Sequence, residues 1–112
     1  MTTATGNCFH ANGELFMDRV FIRGETDLRL VHGEVTGQSS LRVLKYAHCW
    51  IEKGNTVIDI SNGNSVKMDK ATYYAIGQVG DNVHTYDAKQ FQKKVCKHEH
   101  WGPWDLKTES EL

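Results

Sequence analysis

Apolar positions change their spacing several times along the chain, and each spacing predicts an element. Over residues 7 to about 20, Phe9, Phe16 and Val20 recur at near-helical intervals, as do Cys8, Ala11 and Leu15. Side chains three or four apart share one face of a helix, so this stretch is expected to be helical, with Asn7 as its N-cap and Gly13 as a weak point. Residues 28–35 are rich in strand formers, with Leu28, Leu30 and His32 on one face. Residues 36–40 read as a loop. A second strand over residues 41–52 sets Leu44, Tyr46, His48 and Trp50 against Val43, Lys45, Ala47, Cys49 and Ile51 on the other face. Lys53-Gly54-Asn55 is turn chemistry and Thr56-Val57-Ile58-Asp59-Ile60 follows as a third strand, which predicts a β-hairpin ended by Ser61-Asn62-Gly63-Asn64.

Asp69 is placed to cap a short helix reaching Ile76 and stopped by Gly77. Residues 82–86 add a strand. Asp87 and Gln90 form a capping-box pair, and Tyr86 can staple onto Phe91, opening a helix that runs to about His98. The aromatic tail Trp101-Gly102-Pro103-Trp104 is expected to fold back over the core, and residues 106–112 to fray. The fold class is therefore α+β: an N-terminal helix carrying Cys8, packed on an antiparallel β-sheet built around the hairpin, with two further helices.

A chain of 112 residues has material for one core and not two, so residues 1–112 are expected to form a single domain. Thirteen Lys and Arg against fourteen Asp and Glu give a net charge of −1. The basic residues are scattered, which argues against a nucleic-acid partner. No apolar run is long enough to span a bilayer, and the N-terminus lacks a basic stretch leading into an apolar one. A soluble, cytoplasmic protein with no membrane partner is the expectation. The three cysteines, Cys8, Cys49 and Cys96, are odd in number and lack framework spacing, so free thiols are expected.

Each thiol then needs its own explanation. At the first turn of a helix, Cys8 would feel the positive end of the macrodipole, and unpaired N–H groups beside the Asn7 amide could receive an oxyanion. His10 lies about 200° around the same helix and points away from Cys8. His48, mid-strand between Tyr46 and Trp50, is the better partner. Hairpin parity supplies the third group. A two-residue turn at Lys53-Gly54 sets Asp59 opposite His48, a four-residue loop sets it diagonally on the same face, and only an odd loop sends it to the other side. A lone carboxylate in an apolar strand is well explained if it orients the imidazole. Trp50 and His32 are candidate substrate contacts, although His32 shares a face with Leu28 and Leu30 and can equally be core.

Cys49, flanked on its face by Ala47 and Ile51, is expected in the core. Gly33 suggests a close backbone approach. Tyr73 and Tyr74 read as packing residues with their polar tips outward. The Cys96-Lys97-His98-Glu99-His100 cluster offers at most two ligands on one helix face, so neither a metal site nor a cofactor is expected.

The run His48-Cys49-Trp50-Ile51-Glu52, a turn, and then Val57-Ile58-Asp59 looks like the His-Ala-Trp-Val-Glu and hydrophobic-Asp pattern of one enzyme superfamily. With the helix-start cysteine upstream, residues 7 to 60 resemble the papain-like cysteine enzymes in their transglutaminase-like form. The resemblance implies Cys8 as nucleophile, His48 as general acid and base, and Asp59 as orienting carboxylate. It further implies a hydrolase or acyltransferase acting on an amide or ester carbonyl of a protein or peptide-like substrate. The whole chain is also similar to small uncharacterised bacterial and phage proteins. Two departures are the short segment between Cys8 and His48 and the cysteine at position 49, where the pattern has Ala. The alternative is a non-catalytic protein-binding accessory module, phage-encoded or of host origin, in which the triad is structural or degenerate.

Overall fold

The computed structural model of the chain describes residues 4–38, 43–61 and 64–107, with side chains over 8–36, 45–60 and 65–107. Its elements follow in the order α1 (Ala4–Met17), a π-helical turn (Asp18–Ile22), β1 (Leu28–Gln38), β2 (Val43–Lys53), β3 (Thr56–Ser61), β4 (Asn64–Asp69), α2 (Lys70–Gly77), β5 (Val83–Tyr86) and α3 (Ala88–His98). All strands join one antiparallel sheet in the order β4-β3-β2-β1-β5. The fold is α+β, with the N-terminal helix packed on the sheet.

Alternation along the strands gives the sheet two apolar faces. One face packs Leu28, Leu30, Cys49, Ile51 and Ile58 against Cys8, Phe9 and Phe16 of α1 and Phe91 of α3. The other packs Val31, Val35, Trp50 and Val57 against Tyr73 and Tyr74 of α2. Gly33 is the close approach that its position suggests: a Cβ there would meet Trp50 Cη2 at 2.5 Å, so the indole reaches over β1 only because residue 33 has no side chain.

Local chemistry explains several boundaries. Asp87 and Gln90 form the reciprocal capping box of α3. Asp69 caps α2 by accepting from Thr72 N–H, and the helix ends one residue later than expected, with Gln78 rather than Gly77 at the left-handed position (φ 51°). The tail does fold back: Trp101 and Trp104 pack on the α1/α3 side of the core. Leu106 is buried, and Asn82 Nδ2 donates to Lys107 O, so the ordered chain continues through the start of the segment expected to fray. Residues 108–112 lie outside the described residues.

Three expectations need correction. α1 begins at Ala4 rather than Asn7, so Cys8 sits one turn inside the helix instead of at its start. Residues 36–38 belong to β1 rather than to a loop, and the remainder of that proposed loop lies outside the described residues. The third strand is not the end of the hairpin series, because β4 follows it, with Val66 opposite Asp59 and Met68 opposite Val57. Among the described residues, no helix is long and apolar enough to cross a membrane.

Candidate functional site

The site lies where β2 and β3 part. Their ladder pairs Lys53 with Thr56, Glu52 with Val57 and Ile51 with Ile58, so the turn is Gly54-Asn55. That register sets Asp59 opposite Trp50 and diagonal to His48 on one face, rather than directly opposite His48. Parity therefore holds although the turn residues differ from Lys53-Gly54.

Beyond this rung α1 enters between the strands, and Asn12 takes over the hydrogen bonds that the ladder would have made. Its Nδ2 group lies 2.9 Å from Cys49 O and 2.9 Å from Ile60 O, while Ile60 N–H donates to Asn12 Oδ1 at 2.9 Å. Buried backbone groups need such partners, so a fully buried amide is explained by the ladder it replaces. The same Nδ2 group bonds Cys8 O, 3.0 Å away and one turn upstream. This pins the Cys8 turn of α1 beside β2.

The geometry brings three of the predicted residues together. His48 Nε2 hydrogen-bonds Asp59 Oδ2 at 2.8 Å, and the imidazole also hydrogen-bonds the Cys8 side chain. Burial pushes the His48 imidazole down, but the hydrogen bonds to Asp59 and Cys8, with the negative charge of Asp59, outweigh it and raise it to about 9. Burial likewise pushes the Asp59 carboxyl up, and the hydrogen bond and charge of His48, with donors from Tyr73 and Asn12, more than reverse this and hold it below its usual value.

Two positioning residues were not anticipated. Tyr73 O–H donates to Asp59 Oδ2 at 2.7 Å and Asn12 Nδ2 donates to Oδ1 at 3.1 Å, so the carboxylate is gripped from α2 and α1 as well as by His48. The tyrosine tips point inward, contrary to expectation. Tyr74 O–H bonds Glu52 Oε2, which also accepts from Trp50 Nε1 at 3.0 Å, while Lys70 pairs with Glu52 Oε1 at 3.2 Å. This buried carboxylate fastens α2 to the sheet and so sets where Tyr73 reaches. A polar Asn12 four residues after Cys8, on the buried side of α1, was the available sequence signal for the wedge.

Other candidates fall away from the site. Trp50 is fully buried behind His48 and Asp59 with its N–H spent on Glu52, so it does not contact solvent or the nearby pocket. His32 pairs with Cys49 across the ladder and faces the opposite side of the sheet from His48, packed against Phe9, Tyr86 and Trp104. The side chain of Asn7 lies outside the described residues. Cys49 is fully buried, and burial holds its thiol well above the usual range. His10 pairs with Glu14 and stacks on Trp101, away from Cys8 as expected.

The histidine cluster at the end of α3 seats the tail: His98 stacks on Trp104, His100 Nδ1 accepts from Gly102 N–H, and Trp104 Nε1 donates to His100 O. Among the described residues, no group of three or more His, Cys, Asp or Glu side chains is arranged to hold a metal ion. The fold and site together define an α+β protein in which a helix-borne cysteine meets a strand-borne histidine backed by an aspartate. Comparison with protein-family models, curated proteins and solved structures found no match.

Proposed function

We propose that the chain is a minimal papain-like, transglutaminase-like thiol enzyme that acts on an amide or ester carbonyl. One observation carries this reading: His48 lies between Cys8 and Asp59, bonded to both, and holds its proton more tightly than an ordinary histidine. In the proposed cycle the Cys8 proton already rests on His48, and the sulfur attacks the carbonyl carbon, forming a C–S bond as the carbonyl π pair moves to oxygen. The C–N or C–O bond then breaks, and the leaving amine or alcohol departs with the proton that His48 held. Water, or an amine in the transferase variant, resolves the thioester through the same imidazole. Asp59 fixes the ring and supports its charged form.

A second reading is favoured by the complete burial of Cys8. In it the chain is a non-catalytic protein-binding accessory module and the three side chains are structural. Iodoacetamide labelling, followed separately at Cys8, Cys49 and Cys96 by peptide mass spectrometry, decides between them. Fast, selective labelling of the folded protein at Cys8, slowed in His48→Ala, supports the enzyme. Labelling of Cys8 only after unfolding supports the binding module.

A further inference from the structure

A pocket of about 290 Å³ opens between the sheet and α2, with His48 and Asp59 at its polar end. Val35, Val66, Met68 and Ile76 supply apolar walls, and Tyr46 and Tyr73 supply aromatic ones. Thr36 is its other polar side chain outside the tyrosines, and among the described residues the lining holds no lysine, arginine or glutamate. The charges at the pocket are those of the His48–Asp59 pair, which satisfy each other at 2.8 Å, so a charged substituent of either sign would find no free counter-charge among the described lining residues. The volume is at the small end of ligand pockets, which run from about 300 Å³ upward, and suits one side chain or ring.

Position decides which half of a substrate would sit there. Cys8 does not line the pocket, whereas His48 does. The pocket is thus on the imidazole side of the site, so a group seated in it lies against His48 rather than Cys8. Tyr46 lines the pocket and lies edge-on to His48, with ring centroids 6.0 Å apart.

We infer that this pocket seats an apolar, aliphatic or aromatic group on the leaving half of the substrate, so that the preferred substrates are amides or esters of hydrophobic amines or alcohols. This rests on the thiol-enzyme reading and makes it more specific. In the acylation step the Cys8 sulfur bonds the carbonyl carbon and the carbon–heteroatom bond breaks. The proton lost by the thiol passes through His48 to the departing heteroatom, whose apolar substituent occupies the pocket. No further reactant is required until water releases the acyl group.

The test uses N-acetylglycine methyl, benzyl and 4-carboxybenzyl esters, which share one acyl group. The wild-type protein is expected to turn over the benzyl ester with kcat/KM about tenfold or more above the methyl ester, and the 4-carboxybenzyl ester near the methyl level. Ile76→Lys, at an exposed edge of the pocket, is expected to collapse the benzyl-to-methyl ratio, and Met68→Lys to do the same from β4. Circular dichroism and Cys8 labelling establish that each variant is folded. Equal rates for methyl and benzyl esters, with turnover abolished in Cys8→Ala, overturn the pocket inference and leave the thiol reading standing. The same holds if the benzyl preference survives both lysine variants, or if neither ester reacts while Cys8 is still labelled selectively. Turnover that persists in Cys8→Ala, or an inert Cys8, overturns the thiol reading and this inference with it.

Discussion

His32 and His48 stand on neighbouring rungs of the β1/β2 ladder, opposite Cys49 and Gly33 respectively, and face opposite sides of the sheet. Burial pushes both imidazoles down, yet they end on opposite sides of the ordinary histidine value. His32 lies in a box of Phe9, Tyr86 and Trp104 under the backbone of Gly102, and among the described residues neither ring nitrogen has a hydrogen-bond partner. Its burial, helped by the charge of His84 and only partly opposed by Asp105, holds it at about 3. His48 has Asp59 on Nε2 and is also bonded by the Cys8 side chain, and rises to about 9. Burial alone therefore does not mark a working histidine; its partners decide which protonation state the fold holds.

The largest expected effect comes from removing the partnered imidazole. His48→Ala should lower kcat/KM toward esters by about 10⁴-fold or more, because residues that act as a unit fail together. His32→Leu should leave kcat/KM within a few-fold of wild type, since His32 faces away from His48. Steady-state assays of the two variants side by side check the contrast, and equal losses would dissolve it.

Asp59→Asn comes next. The amide keeps the shape but removes the charge that helps raise His48. Activity should fall by about 10²–10⁴-fold, with a fall in the His48 titration midpoint from about 9 toward the ordinary value. Imidazole NMR titration of the variant reads that midpoint directly. An unmoved midpoint would mean that Asp59 is structural only.

Much of this comparison was readable before any coordinates. Strand alternation put Tyr46, His48 and Trp50 on one face and Cys49 on the other, and hairpin parity kept Asp59 with His48 even though the turn is Gly54-Asn55. Period-two geometry survives an error in the turn because a shift by two rungs preserves the face. The capping box and the Asp69 cap were legible because each is a local rule, and the returning tail because two tryptophans so close together need a core to cover. What the sequence hid was long-range. Asn12 reaches across 37 residues to Cys49 O and across 48 to Ile60, and Tyr73 reaches Asp59 only because β4 and α2 fold over that face. β4 was missed because Val66 and Met68 are its only strongly apolar residues, on one face of a short edge strand. The side His32 would face could be read from alternation, but its lack of a partner could not.

The two imidazoles also predict opposite slopes of stability with pH. His48 binds its proton more tightly when folded, so its contribution is fully present below about 6.5 and is lost as pH rises through about 9. His32 binds its proton less tightly when folded, so between about 6.5 and about 3 the unfolded chain takes up more protons and stability falls as pH falls. Asp59, held below its usual value, adds to the acid-side loss as pH drops through its folded titration. Each histidine can contribute a slope approaching about 1.4 kcal/mol per pH unit. Urea denaturation across this range should show His48→Gln flattening the alkaline limb and His32→Leu flattening part of the acid one. A variant that leaves its assigned limb unchanged removes that histidine from the account.

The smallest effect is the most diagnostic of the unpartnered ring. An imidazole buried without hydrogen bonds forfeits its interactions with water and receives no polar contact in return, whereas leucine has nothing to satisfy. The slot is tight: a Cβ on Gly102 would lie 2.5 Å from His32 Cε1, so a branched side chain loses some packing against the strap. The polar penalty exceeds this loss, and His32→Leu should stabilise the protein by about 1 kcal/mol at pH 7. The gain should widen toward pH 5, because only the wild type carries a histidine that charges more readily when unfolded. A rise in the urea midpoint at constant m-value measures it. A loss of about 1 kcal/mol instead would show that the polar penalty does not exceed the packing loss, and the contrast between a partnered and an unpartnered ring would lose its energetic content.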